Sequence, residues 1–298
     1  MSMTASIFTH TAGWGSLNTG TGKEPQLAHT YFPTDPPAYE IARIQGYLRE
    51  NARNHYESES LPPFTLFFHP SSPVKYFNYA IPDQPTGSGL DDTLKELRKA
   101  FRRRGRTARF EFFEAFAPLL PDELLKHGFN EEARQWSMAC TPENLCSEPE
   151  MPGLEVVILQ SESPAEDVRD YIIAQRQGFD PSNTAQPSDF DVVQARLDFL
   201  VSGWQAFLAR IDGEPAGAAS FSRPIDGVAE IAGIATREAF RRRGIATRLA
   251  WLATRMAFDM GVTTACLTAN DEQSGRVYER LGYQPFSVML AYIDGEHA

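Results

Sequence analysis

Between residues 228 and 283 the chain reads VAEIAGIATREAFRRRGIATRLAWLATRMAFDMGVTTACLTANDEQSGRVYERLGY, and no other stretch restricts the fold as much. Residues 228–235 alternate small and apolar side chains without a proline, which predicts a strand, with Glu230 inside it. AFRRRGIA follows. From Ile245 onward, Leu249, Leu252, Ala253, Met256 and Ala257 recur at helical spacing. TACLTA then predicts a second strand, and a shorter helix runs to Gly282. A strand that turns through glycine straight into a helix leaves unpaired N–H groups and the positive end of the helix dipole at the turn. Such a turn is a natural anion site, and Gly244 would let the backbone approach a phosphate closely. The order of elements implies an α/β fold that holds a phosphate-bearing cofactor, with a pyrophosphate fitting the turn.

Arg241, Gly244 and Ala246 match the pattern [QR]xxGx[GA], and in this strand–turn–helix–strand–helix context the chain resembles the GNAT superfamily of acyl-CoA-dependent N-acyltransferases. The resemblance covers residues 154 to about 293 well and the first half faintly. It implies acetyl-CoA as co-substrate and no metal. The cofactor-binding set it implies is Ile234, Ala235, Thr236, Arg241, Arg242, Arg243, Gly244, Ile245, Ala246 and Thr247, followed by Asn270, Asp271 and Ser274. Family members usually carry Asn and Ala where this chain has Asp271 and Ser274, and Asn270 stands one position early. Tyr278, Gly282 and Tyr283 fit the pattern. Glu238 replaces a proline common before the loop, which leaves the loop's entry less rigid.

The resemblance further implies direct attack of an amine on the acyl thioester in one ternary complex, without an acyl-enzyme. Three demands follow: a neutral amine, a stabilised tetrahedral oxyanion and a proton for the departing thiolate. Glu230 is the candidate base, on a strand face shared with Ala232 and Ile234; a carboxylate in a partly apolar groove has its proton affinity raised by desolvation. A strand glutamate can equally face solvent, and a base can act directly or through water. Backbone N–H groups of Ile234 or Ala235 would serve the oxyanion where, in this family, the sheet splays. Gly233 suits a bulge or a close backbone approach there. Tyr278 matches the family tyrosine that points at the thioester sulfur, and a phenol remains a donor at neutral pH. With Val277 and Leu281 it could also form a core stripe.

The chain has 298 residues, enough for two domains, and an ordinary globular composition of 42% hydrophobic and 22% charged residues. Its formal charge is 28 minus 39, or -11, so no overall basic surface recommends nucleic acid or an anionic membrane. Cys140, Cys146 and Cys266 form no paired framework, and no histidine accompanies them at zinc-ligand spacing. The N-terminal residues show neither a basic nor an apolar leader segment, and no run is long enough to span a bilayer, so a cytoplasmic protein is expected.

Residues 1–36, rich in Gly, Thr, Ser and Pro, read as a flexible tail or an arm docked through Trp14, with Tyr31 among its scattered aromatics. Next, 37–54 predicts a helix, 64–69 and 76–81 strands, 91–104 a helix capped by Asp91 or Asp92 and ended by Gly105, then strand 108–113, helix 122–127 and strand 129–139. The pentapeptide FRRRG occurs twice, at 101–105 and 240–244. Only the second opens a helix; the first closes one and offers carbonyls, so it should not hold pyrophosphate. RFEFF, LLKHGF and a following apolar strand parallel TACLTA, YERLGY and FSVMLAYI, which suggests an internal duplication. The TPENLCSEPEMPG segment, 141–153, reads as a linker. Beyond it come strand 154–159, helix 163–177 with Glu166 in a capping box, helix 189–201, and strands 204–210 and 216–221 joined by a turn at Asp212-Gly213-Glu214-Pro215.

The expected architecture is α/β (α+β): two GNAT-like mixed-sheet domains in tandem, a degenerate one at 37–140 and an intact one at 154–298. The expected activity is transfer of acetyl from acetyl-CoA to a primary amine of a small molecule, by a monomer or homodimer. A protein or peptide N-acetyltransferase and a catalytically weak acyl-CoA-binding protein are the alternatives.

Overall fold

The computed structural model describes residues 38–201 and 203–295; the arm expected at 1–36, with Trp14 and Tyr31, lies outside them. The first half contributes α1 (Ala38–His55), β1 (Glu57–Leu61), β2 (Phe64–Phe68), β3 (Asn78–Pro82), α2 (Asp91–Arg103), β4 (Arg109–Phe113), α3 (Leu120–Lys126) and β5 (Phe129–Cys140). The second contributes β6 (Leu154–Leu159), α4 (Ala165–Phe179), α5 (Asp189–Val201), β7 (Gln205–Ile211), β8 (Glu214–Phe221), β9 (Val228–Thr236), α6 (Ile245–Asp259), β10 (Thr264–Ala269), α7 (Glu272–Glu279) and β11 (Gln284–Asp294). The strands form one mixed sheet in the order β1-β2-β3-β4-β11-β5-β10-β9-β8-β7-β6.

Two strands are exchanged between the halves. β11, last in the second half, lies between β4 and β5 and is antiparallel to both. β5, last in the first half, pairs in turn with β10, from Trp136 opposite Ala269 to Cys140 opposite Ala265. Each half thus completes its sheet with the other's closing strand.

The helices cover the sheet where their apolar stripes demand. α6 lays Leu249, Ala250, Ala253 and Ala257 on the face formed by Ala219, Phe221, Ala229 and Ile231. Its close seat depends on Gly217, where a Cβ would stand 2.8 Å from Ile245 Cγ2 and 2.9 Å from Ala235 O. On the other face α4 buries Val168, Tyr171 and Ile172 against Leu208, Ala218 and Ala232. α1 spans the junction of the halves. Its Arg43 donates to Asp226 O (3.1 Å) and Thr263 Oγ1 (2.9 Å) in the second half, while Gln45 Oε1 accepts from Phe113 N–H (3.1 Å) in the first. A buried ion cluster sits among the first half's strands: Arg109, 0% exposed, pairs with Glu111 (2.5 Å) and Glu132 (2.6 Å), and Lys75 also holds Glu132.

Several local expectations need correction. β1, ESESL, has no apolar alternation and an exposed pattern, yet it forms the edge strand paired with β2. Lys75–Phe77 is a 3-10 turn, so β3 starts only at Asn78. Leu90, not Asp91 or Asp92, occupies the N-cap of α2, and the two aspartates lie in its first turn. α4 starts after Pro164 without a side-chain cap; Ser163 Oγ instead accepts from Gln160 N–H (2.9 Å), so Glu166 takes part in no capping box. Gly105 does end α2, with φ +64° and Arg106 N–H returning to Phe101 O, so the first FRRRG closes a helix. The turn at Asp212 and Gly213 has positive φ at both residues, the twist a tight hairpin requires.

Candidate active site

β9 and β10 run parallel for only three residue pairs, Thr264 with Val228, Ala265 with Ala229 and Cys266 with Glu230. Beyond Glu230, β9 continues to Thr236 on the β8 side while β10 continues to Ala269 on the β5 side. The sheet therefore parts at Glu230. The parting opens a cleft of about 410 Å³, whose walls include β9 from Glu230 to Thr236, Leu267 and Thr268 of β10, and Ser274, Val277 and Tyr278 of α7.

Glu230 is 8% exposed. Burial, and second the Glu111 carboxylate, push its pKa up to about 7. It faces the side of α1 and α4, as Ala232 does, but the expected alternation stops there. Gly233 has φ +63°, and the pairing of β8 with β9 slips between Ala218 and Ser220, so a bulge turns Ile234 to the α6 face. A Cβ on Gly233 would stand 2.9 Å from Gln175 Nε2 and 3.1 Å from Ser220 Oγ, so the bulge also needs glycine for space. Tyr278 is 9% exposed, and its ring contacts Tyr283 within the α6-side core. Burial and then Asp271 raise its pKa, so the hydroxyl stays protonated where it borders the cleft. The cleft thus carries a carboxyl with near-neutral proton affinity and a phenol that keeps its proton.

Gly244 is the N-cap of α6 with φ +88°, a left-handed conformation that favours glycine. The N–H groups of Ile245, Ala246 and Thr247 form the first turn and have no carbonyl one turn earlier to bond. Among the three arginines, Arg241 borders the cleft, donating to Thr236 O (3.2 Å) and Gly178 O (3.0 Å). The Arg243 guanidinium lies over the Phe240 ring at 5.5 Å, and Arg242, with φ +63°, is exposed. Thr236 Oγ1 is buried without a hydrogen-bond partner on the cleft wall, a polar atom available to a bound group.

Asn270, Asp271 and Ser274 also border the cleft, but their side chains have structural engagements. Asp271 caps α7: its carboxylate accepts from Ser274 N–H (2.7 Å), and Ser274 Oγ accepts from Asp271 N–H (3.1 Å). Asn270 Oδ1 accepts from Gln135 Nε2 of β5 (3.2 Å). The departure from the family pattern at Asp271 and Ser274 is thus a capping box.

The sequence offers 177–189 as a loop that could contact the acceptor, but its first residues belong to the last turn of α4. Gly178 and Phe179 line the cleft at its end, and a Cβ on Gly178 would meet Ala235 Cβ at 2.6 Å and Thr236 N at 3.0 Å. A glycine near the end of a helix pattern was the signal available.

The fold is that of GNAT N-acetyltransferases of known structure. Residues 172–283 match the model of the Acetyltransferase (GNAT) family, and that segment is a GNAT acetyltransferase domain, which supports acyl transfer from acyl-CoA. Among solved structures, a GCN5-related N-acetyltransferase from Kribbella flavida is similar at 27% identity and a TM-score of 0.69, covering 85% of this chain and 95% of its own. A GCN5-related N-acetyltransferase from Sphaerobacter thermophilus shares the fold at 18% identity and a TM-score of 0.59, covering 85% and 88%. A tandem GNAT protein from the clavulanic acid biosynthesis pathway shares it at 14% identity and a TM-score of 0.57, covering 77% of each chain. The search of curated proteins returned no match. No helix among the described residues is long and apolar enough to cross a membrane.

Proposed function

We propose that this protein transfers acetyl from acetyl-CoA to a primary amine of a small molecule, by direct attack within a ternary complex in the cytoplasm. The observation that carries the proposal is the parting of β9 from β10 at Glu230, which puts that carboxyl and Tyr278 on one cleft beside the N-terminus of α6. Acetyl-CoA supplies an activated acyl carbon and a thiolate leaving group. The first-turn N–H groups of Ile245, Ala246 and Thr247, with the loop of Arg241, Arg242, Arg243 and Gly244, suit its pyrophosphate. Thr236 Oγ1 and the β9 backbone at Ile234 and Ala235 line the path towards Glu230. Glu230, half ionised near neutral pH, takes a proton from the entering ammonium group. Tyr278, uncharged when the step begins, gives its proton to the sulfur as the C–S bond breaks, and the proton the attacking nitrogen sheds on forming the amide restores the phenol.

The proposed organisation is a degenerate GNAT-like domain at 37–140, a linker at 141–153 and the working domain at 154–298. The first half has acidic Asp91 and Asp92 in the first turn of α2, which follows β3 as α6 follows β9. Negative charge there repels phosphate. The test is a screen for CoA release across small amines, polyamines and peptide N-termini, after a thermal shift with acetyl-CoA confirms binding. Turnover of free amines supports the proposal. Turnover confined to peptides would replace it with a protein acetyltransferase, and binding without turnover on any amine with an acyl-CoA-binding protein.

A further inference from the structure

Glu230 is the last residue of β9 to pair with β10, so its main chain must be held from the other side. β8 ends one residue short, at Phe221, and Ser222 continues the contact in an irregular way. Ser222 N–H donates to Glu230 O (3.0 Å), but Glu230 N–H donates to the side-chain Oγ of Ser222 (3.0 Å). A side chain fixes a strand less firmly than a ladder carbonyl unless something locks its rotamer. Tyr47 of α1 does so: its hydroxyl bonds Ser222 Oγ, and the Glu230 N–H also lies against it. Tyr47 and Ser222 are both fully buried, and Tyr47 shares with Glu230 a small recess behind the cleft, lined also by Ser137, Cys266 and Phe286. The helix that carries Tyr47 is held to β4 through Gln45 and to the β8–β9 connection through Arg43.

We propose that Tyr47 is a positioning residue for Glu230, so that the first half, without a phosphate loop of its own, holds the base of the second half's site in place through Ser222. The inference rests on the reading of Glu230 as the base. Without the Tyr47 hydroxyl, Ser222 is free to rotate, Glu230 N–H loses its acceptors, and the segment just past the parting relaxes into the open cleft. The carboxyl then regains water. Since burial is the main reason for its raised proton affinity, that affinity falls. The groups facing Glu230 are Tyr47 on α1, Tyr79 on β3, Glu111 on β4 and Cys266 on β10. Glu111 is the one anion among them, and it stays paired with Arg109 in every variant considered.

The experiment needs no acceptor. Protein carrying ¹³C-labelled glutamate is titrated by NMR, and the Glu230 resonance is assigned as the one missing from Glu230→Gln. The expected midpoint is about 7 in the unaltered protein. Tyr47→Phe and Ser222→Ala each lower it by about one pH unit, a typical environmental spread for a carboxyl, and the double variant lowers it no further. Tyr79→Phe, which removes a buried hydroxyl without a hydrogen-bond partner, leaves the midpoint in place. Thermal melting separates a loss of global stability from this local effect. A Tyr47→Phe midpoint equal to that of the unaltered protein, or additive shifts in the double variant, overturns the inference while Glu230 keeps its assignment. A Glu230 that titrates near 4.5 in the unaltered protein overturns the base assignment itself, and this inference with it.

Discussion

At Glu230, the chemistry and the cost of building it are the same quantity. Its pKa is about 7 when folded and near 4.5 as an ordinary carboxyl, so between those values the folded chain keeps a proton that the unfolded chain has released. Stability is therefore expected to fall as pH rises from 4.5 through 7. Glu230→Gln removes the ionisation, and thermal melts should show it more stable than the parent at pH 8, by up to about 3 kcal/mol, with no gain at pH 4. Activity moves in the opposite sense. In the parent, kcat/KM should rise as pH climbs through about 7 and the base ionises, whereas Glu230→Gln should lack that limb and recover partly at high pH as the amine deprotonates unaided. A limb unchanged in Glu230→Gln would remove the residue from the chemistry. Tyr278→Phe keeps the ring's contact with Tyr283 and removes only the donor. It should lower kcat by ~10²-fold with acetyl-CoA affinity unchanged, and wild-type single-turnover rates would return Tyr278 to a packing role.

At the scale of elements, the cleft is set by how closely α4 and α6 approach β8 and β9. Gly178→Ala drives a Cβ to 2.6 Å from Ala235 Cβ and 3.0 Å from Thr236 N, where backbone must move to accommodate it. We expect a loss of about 1–3 kcal/mol in stability and weaker acetyl-CoA binding, read by melting and calorimetry; parental values in both would show that the α4–β9 contact does not shape the site. Most elements of the second half were legible in the sequence, because each has a local signature: the alanine and leucine spacing of α6, the Asp212-Gly213 turn, the apolar run of β6. β1 was not, since ESESL is a polar edge strand whose placement depends on its pairing with β2. The Gly233 bulge was legible as a glycine within a strand, but its effect on Ile234 was not, because a one-residue slip inverts every later side chain.

The whole molecule adds what no local pattern carries. The exchange of β5 and β11 joins residues 145 to 165 positions apart, from Ala139 opposite Gln284 to Phe129 opposite Asp294, and β5, with the polar run NEEARQ inside it, carries no apolar alternation that names its partner. The same exchange, with α1 above it, brings Tyr47 and Ser137 of the first half against Glu230. Two halves of related order thus share one sheet, and the glycines of the two FRRRG segments stand at opposite helix ends: Gly244 opens α6, while Gly105 closes α2. Neither glycine would crowd a neighbour if given a side chain, since nothing lies within 4 Å of either Cβ position, so substitution acts through the backbone conformation at φ +88° and +64°. Isothermal titration of acetyl-CoA into the parent, Gly244→Val and Gly105→Val tests this division most directly. The expected result is one site per chain, lost in Gly244→Val and kept at parental affinity in Gly105→Val. Two sites per chain, or parental affinity in Gly244→Val, would contradict it.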